Sequence, residues 1–214
     1  MKKIHKLFWI SFCSMSICAS SNAAETGDKK PASAKELWKI VIVDGSRSHN
    51  RLFAAAQDII NKNAGTPEAL TAELLIGRIE MDRALGEAQG ATDKARAIFE
   101  NLAKNQAAAW QGQAAKLALI SLLHAEGKHA ELVTASLKEL QDINWDLLGK
   151  DAPPDLADYK KMANADSELS PDILRMFLST SYFALGKKEE ANQWAAKIQN
   201  AEMKKETEEA FQPR

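Results

Sequence analysis

The chain has few cysteines, and both lie near its start. Cys13 and Cys18 are the only two among 214 residues. The sequence after Cys18 therefore offers no internal disulfide, no thiolate metal ligand and no cysteine nucleophile. Its stability has to come from a packed core.

Long apolar runs and a basic surplus are also lacking. The longest apolar stretch, residues 7–19, has 13 residues and is interrupted by serines, whereas a membrane-crossing helix needs about 20. The 28 Lys and Arg residues are balanced by 29 Asp and Glu residues, and no Lys/Arg-rich run occurs. These absences argue against nucleic-acid binding and against electrostatic docking on anionic lipid.

Residues 1–24 have the pattern of a secretory signal peptide. A basic start containing Lys2, Lys3 and Lys6 precedes the apolar stretch, and Ala23 and Ala24 offer small residues for cleavage. We expect export to the periplasm of a Gram-negative-type bacterium, with secretion or an uncleaved N-terminal anchor as alternatives. After cleavage we expect no membrane span, and a chain with 25 basic and 29 acidic residues.

The rest of the chain predicts a short flexible tether over residues 25–33 and one helical domain over residues 34–214. Helix-start signals occur at residues 33–36, a capping-box pattern, and at residues 66–68 and 170–172, where an N-cap hydroxyl precedes proline and an acid. Glycines, among them Gly127 and Gly186, predict helix ends. The sequence therefore predicts an all-α protein built from antiparallel helix pairs.

The helix pairs resemble the tetratricopeptide repeat family, a 34-residue helix-turn-helix unit with bulky and small residues at set positions. The resemblance rests on three groups of residues: Leu178, Ser179, Tyr182, Gly186, Ala191 and Ala195; Ala95, Phe99 and Leu102; and Ala55, Ile59 and Pro67. A fourth unit around Gly127 departs from the pattern at Leu132 and Ser136. The resemblance implies a short right-handed solenoid of degenerate repeats with an insertion at about 145–169, and a plain helical bundle is the alternative.

The resemblance implies a non-catalytic protein-protein interaction scaffold or adaptor in the bacterial cell envelope. In this family the first helix of each pair lines a concave groove. The residues carried over to that groove are Glu73, Glu80, Leu117, Ser121, His124, Met176, Thr180 and Phe183. They are acidic, apolar or hydroxylic, so we expect a protein or peptide partner with apolar and basic residues. Trp145, in the insertion, is a candidate anchor for a partner.

Two other functions stay open. A periplasmic glycan-acting enzyme would need an acid with a raised pKa in a deep cleft, for which Glu73 and Glu80 are the candidates. A binding protein for a glycan or small molecule would need clustered aromatic side chains, and the aromatic content is only 7%.

The histidines do not indicate a metal site. His124 and His129 lie on either side of Gly127, with no further ligand at metal-binding spacing, and we expect both to be exposed in a turn. We expect no catalytic residue, no cofactor and no metal. The sequence leaves the oligomeric state open.

Overall fold

The computed structural model describes residues 32–38, 40, 49–85, 90–149 and 170–211. Throughout these ranges the regular elements are helices, which confirms the all-α prediction. They are α1 (Ala34–Trp38), α2 (His49–Lys62), α3 (Pro67–Leu85), α4 (Ala91–Asn105), α5 (Trp110–Ala125), α6 (His129–Asp142), α7 (Trp145–Gly149), α8 (Pro171–Ala184), α9 (Lys188–Ala196) and α10 (Ala201–Glu209). The predicted signal segment, nearly all of the tether, and residues 150–169 of the insertion lie outside the described residues. Within the described part, no helix has the length and apolarity needed to cross a bilayer.

The described helices belong to two compact units, one up to Ala107 and one from Ala108 onward. In the first unit, α3 packs against α1, α2 and α4. Its core is formed by fully buried aliphatic side chains, including Leu37, Ile59 and Leu75. In the second unit, α8 packs against α6, α9 and α10, and α5 packs against α6 and α7.

The predicted helix starts are confirmed by their capping hydrogen bonds. The Ser33 hydroxyl accepts from the backbone N–H of Glu36 at 3.1 Å. The Thr66 hydroxyl accepts from the N–H of Ala69 at 3.3 Å, and α3 begins at the following proline. The Ser170 hydroxyl caps α8 in the same manner. Each cap satisfies an N–H group that has no partner within its own helix.

The helix pairs α5–α6 and α8–α9 are joined by turns of the same construction. Gly127 and Gly186 have φ values of 69° and 78°, a left-handed conformation that other residues adopt only with strain. Across the first turn the N–H of Lys128 donates to the carbonyl of Leu123 at 3.0 Å, and across the second the N–H of Lys187 donates to that of Tyr182 at 2.9 Å. Each bond spans six residues, which is the Schellman arrangement that reverses the chain after a helix.

Small residues allow close helix contact in both units. Ser179 and Ala191 are both fully buried, and the Ser179 hydroxyl on α8 donates to the Ala191 carbonyl on α9 at 2.7 Å. On α3, a Cβ atom added at Gly77 would lie 2.9 Å from two ring atoms of Phe99 on α4, and closer still to a third. A larger side chain at either crossing would force the helices apart.

Two helical features of the second unit differ from what the local sequence pattern predicts. The apolar pattern places Leu137 on the buried face of α6, but 38% of its surface is exposed. The segment from Lys187 to Glu209 reads as one helix, but it is divided into α9 and α10. The division arises because Asn200 caps a new helix by accepting from the N–H of Met203 at 2.9 Å.

Two buried serines of the second unit give opposite predictions. The Ser136 hydroxyl is fully buried and has no hydrogen-bond partner in the described part of the chain, whereas that of Ser179 has one. Replacing Ser136 by alanine is expected to stabilise the fold by about 1 kcal/mol, and replacing Ser179 by alanine to destabilise it by about the same amount. Both sites are helical, so the change in helix propensity is shared. Urea unfolding of the two variants tests the prediction, and equal effects of the two substitutions would contradict it.

A candidate ligand pocket between α2, α3 and α4

A pocket of about 560 Å³ lies between three helices of the first unit and is open to solvent. Its walls come from Phe53, Gln57 and Ile60 on α2, from Glu73, Ile76 and Glu80 on α3, and from Lys94, Ala97, Ile98 and Asn101 on α4. We call it the α2–α4 pocket. Its walls are mostly apolar, and its volume lies in the range that small-molecule and side-chain sites occupy.

The spacing of its α3 residues explains why they share the pocket. Glu73, Ile76 and Glu80 are separated by three and four positions, which places them on one face of a helix. Seven residues correspond to about 10 Å along the helix axis. The pocket therefore has one carboxylate toward each end of its α3 wall, with an isoleucine between them. The structure thus brings together Glu73 and Glu80, two of the predicted groove residues.

Glu80 is the least satisfied polar side chain of the pocket. Only 2% of its surface is exposed. Its Oε1 atom accepts a hydrogen bond from Nη1 of Arg83 at 3.0 Å, while its Oε2 atom is buried and has no hydrogen-bond partner in the described part of the chain. A buried carboxylate oxygen without a donor is costly. The acid is thus paired at Oε1, while its buried Oε2 lacks a donor.

Of the other polar groups of the pocket, Glu73 is half-buried, and Gln57 and Asn101 are hydrogen-bonded along their own helices. Gln57 donates through its amide to Asn61 at 3.3 Å. Asn101 accepts from the amide of Asn105 at 2.6 Å. Lys94 is exposed. A ligand would therefore meet Glu80 as the deepest charged group, surrounded by aliphatic and aromatic wall residues.

Asp82, also on α3, does not line the pocket. Burial raises its pKa, and the nearby positive charges of Arg78 and His49 lower it by less. The Nε atom of Arg78 lies 3.5 Å from Oδ1 of Asp82. This buried acid therefore lies on α3 outside the pocket.

The raised pKa of Asp82 predicts a pH dependence of stability. The folded state holds this proton to a higher pH than the unfolded state, so its contribution to stability is full below the unfolded pKa. That contribution is lost as the pH rises through the folded pKa. Asp82→Asn is therefore expected to gain stability relative to the wild type as the pH rises through this window. Urea unfolding of both proteins at several pH values measures the difference, and a difference that stays constant with pH would contradict the assignment.

In the second unit, most of the predicted groove residues are engaged within the fold. Leu117, Ser121, His124 and Met176 are buried. The Ser121 hydroxyl donates to the backbone carbonyl of Leu117 at 3.1 Å. Thr180 is half-buried, and its hydroxyl donates to the backbone carbonyl of Met176 at 2.9 Å. The ring of Phe183, also half-buried, stacks on Phe211 with centroids 4.5 Å apart.

The expectation that His124 is exposed in a turn was wrong. Only 4% of its surface is exposed, because α5 carries its ring against the edge of Phe177, with centroids 5.2 Å apart. His129, on α6, lies 6.1 Å from the His124 ring and contacts the hydroxyl of Ser181 at 3.3 Å. Among the described residues, no group of three or more His, Cys, Asp or Glu side chains is arranged to hold a metal ion.

Trp145 is the first residue of α7 and is half-buried. Its indole Nε1 is inside the protein, without a hydrogen-bond partner in the described part of the chain. Its proposed role as an anchor stays a prediction, since most of the insertion around it lies outside the described residues.

Comparison of the chain with known protein families, with curated proteins and with solved structures finds no match. The sequence is enough to select Glu73 and Glu80, but it does not indicate that Phe53, Ile60 and Ile98 contribute to a pocket. These three are half-buried and form pocket wall. Three packed helices form the wall together, so the sequence of any single helix does not predict it.

Proposed function

We propose that this protein is a non-catalytic binding scaffold of the bacterial cell envelope, built from tetratricopeptide-like helix pairs that stack as a short right-handed solenoid. The observation that carries the proposal is the α2–α4 pocket, with its apolar walls and two carboxylates. The matching turns at Gly127 and Gly186 support repeated units, because repeats conserve the connection between their two helices. The signal-like N-terminus supports the location.

Binding explains the pocket better than catalysis does. Glycoside hydrolysis requires two carboxyl groups of distinct roles, about 5–10 Å apart and facing one bond. Glu80 is already paired with Arg83, and Asp82, a carboxyl on α3 whose pKa burial raises, is not part of the pocket. These observations favour recognition of a ligand over proton transfer to one.

A small-molecule ligand is the second candidate, because a pocket of about 560 Å³ is large enough to hold one. Glycans are less well matched, since they bind by stacking on aromatic faces and Phe53 is the single aromatic residue of the wall. The two leading candidates for the ligand are therefore a protein and a small molecule.

Affinity capture from the host distinguishes these functions. A copy of the chain with a C-terminal tag is expressed in its own host, the envelope is crosslinked, and bound proteins are identified by mass spectrometry. We expect a few stoichiometric envelope proteins. They should be lost with Glu73→Lys, which reverses a charge in the pocket, and kept with Glu100→Lys, which reverses an exposed charge of α4 outside the pocket. Capture without any protein would contradict the scaffold and favour the small-molecule reading.

A further inference from the structure

The α2–α4 pocket contains an unused hydrogen-bond acceptor next to an apolar surface. Oε2 of Glu80 is buried and lacks a hydrogen-bond partner in the described part of the chain, although the residue lines the pocket. The apolar wall nearest to it along α3 is Ile76, and Ile60 and Ile98 face the same space from α2 and α4. A ligand that matches both the unpaired Oε2 and the isoleucine side chains would have an apolar part and a charged hydrogen-bond donor.

Arg83 pairs with the other oxygen of this carboxylate. Its guanidinium holds Oε1 of Glu80 at 3.0 Å and does not itself line the pocket. The terminal torsion of a glutamate is soft, so Oε2 can turn toward an incoming donor while Oε1 keeps its partner. Arg83 is accordingly a positioning residue for the site.

We propose that the α2–α4 pocket receives one basic side chain, a lysine or arginine of the partner protein, whose charged end pairs with Oε2 of Glu80. The inference rests on the scaffold function proposed above. Lysine and arginine match the site because each carries a charged group on an aliphatic stem. The stem lies along Ile60, Ile76 and Ile98, and Glu73, about two helix turns away, faces the flanking residues of the bound segment.

Charge complementarity selects this occupant over an apolar one. An apolar side chain would fill the pocket and leave Oε2 without a donor, whereas an ammonium or guanidinium group forms a charge-assisted hydrogen bond with it. Lys94 is the competing cation of the pocket's own wall, and it is exposed. Its ammonium is therefore displaced to solvent without the loss of a buried contact.

The test uses the whole chain and three capped tripeptides: Leu-Lys-Leu, Leu-Arg-Leu, and a neutral peptide with norleucine at the centre. Binding is followed by NMR through the methyl groups of Ile60, Ile76 and Ile98. We expect the two basic peptides to shift these methyl signals and to bind at least about tenfold more tightly than the neutral peptide. Glu80→Gln should remove most of that tenfold preference, and Glu100→Gln should keep it.

A second variant guards against a folding defect in Glu80→Gln. Ala97→Trp narrows the pocket from an exposed position of α4 and keeps residue 80 a glutamate, and it should abolish the methyl shifts that the peptides cause. The proposal would be overturned if the neutral and basic peptides bound equally well. It would also be overturned if neither Glu80→Gln nor Ala97→Trp changed the binding of the basic peptides. The absence of any shift of the pocket methyl signals in the wild type would also overturn it. That result would not bear on the scaffold function, which the capture of protein partners tests separately. Tighter binding of 1,5-diaminopentane than of the lysine peptide would assign the site to a small cation instead.

Discussion

Replacing Gly77 by alanine is expected to destabilise the first unit by about 2 kcal/mol. The new Cβ would fall within 3 Å of three ring atoms of Phe99, whose side chain is almost completely buried. The ring cannot move away without displacing α4. Helix propensity alone predicts the opposite sign, since alanine is favoured over glycine by about 1 kcal/mol inside a helix. The direction of the change therefore reports the contact between α3 and α4.

Hydrogen exchange monitored by mass spectrometry measures this effect in the unit where it arises. Peptides covering α3 and α4 should exchange faster in Gly77→Ala, and those covering α8 and α9 should not. Adding Phe99→Leu removes the ring edge, so the double variant should lose less stability than the sum of the two single changes. A Gly77→Ala protein as stable as the wild type would show that the helices are not in close contact at this position.

Loss of the Asp172 carboxylate is expected to destabilise the second unit by about 3 kcal/mol. The side chain is buried and serves three donors. Oδ1 pairs with Nη1 of Arg175 at 2.6 Å, and Oδ2 accepts from the backbone N–H groups of Gln199 and Asn200 at 3.0 and 2.8 Å. Removing it leaves the half-buried cation of Arg175 and two backbone donors without their partner.

The Asp172 prediction has a graded test. Asp172→Ala should unfold at a clearly lower urea concentration, and Asp172→Asn, which keeps an acceptor oxygen but no charge, should fall between it and the wild type. The exposed Asp142, changed to alanine, is the matched control and should alter stability little. Faster hydrogen exchange at residues 198–203 in Asp172→Ala would locate the effect at the junction of α9 and α10. Similar midpoints for the Asp172 and Asp142 variants would contradict the role assigned to this carboxylate.

The helix starts and the two glycine turns could be predicted because their signals are local. The residues that cap α3 and α8 lie within three positions of the N–H groups they satisfy. In each glycine turn, the N–H of the residue after the glycine donates to the carbonyl of the residue four positions before the glycine. Such features depend on a few neighbouring residues, so the sequence around them is sufficient.

Features that depend on distant residues could not be predicted. The segment after α9 is tied by Asp172, 27 and 28 positions earlier in the chain. The burial of His124 depends on Phe177, which α8 supplies from more than 50 residues away. Both outcomes follow from tertiary packing, which overrides the local pattern.

The candidate site was predictable in part for the same reason. The helical spacing of Glu73 and Glu80 places both on one face of α3, and the sequence is enough to select them. It gives no indication that Oε2 of Glu80 would be buried without a donor, because that depends on where Arg83, α2 and α4 come to lie. The apolar walls of the pocket are likewise set by the packing of three helices.

The most direct test of the central claim, that a protein occupies the α2–α4 pocket, is photo-crosslinking in the living host. A diazirine analogue of lysine replaces Lys94, which lines the pocket, or Lys104, an exposed lysine of the same helix outside it. We expect a discrete crosslinked envelope protein from position 94 that is absent from position 104 and weakened by Glu80→Gln. Position 94 yielding no crosslinked protein, or the same products as position 104, would contradict it.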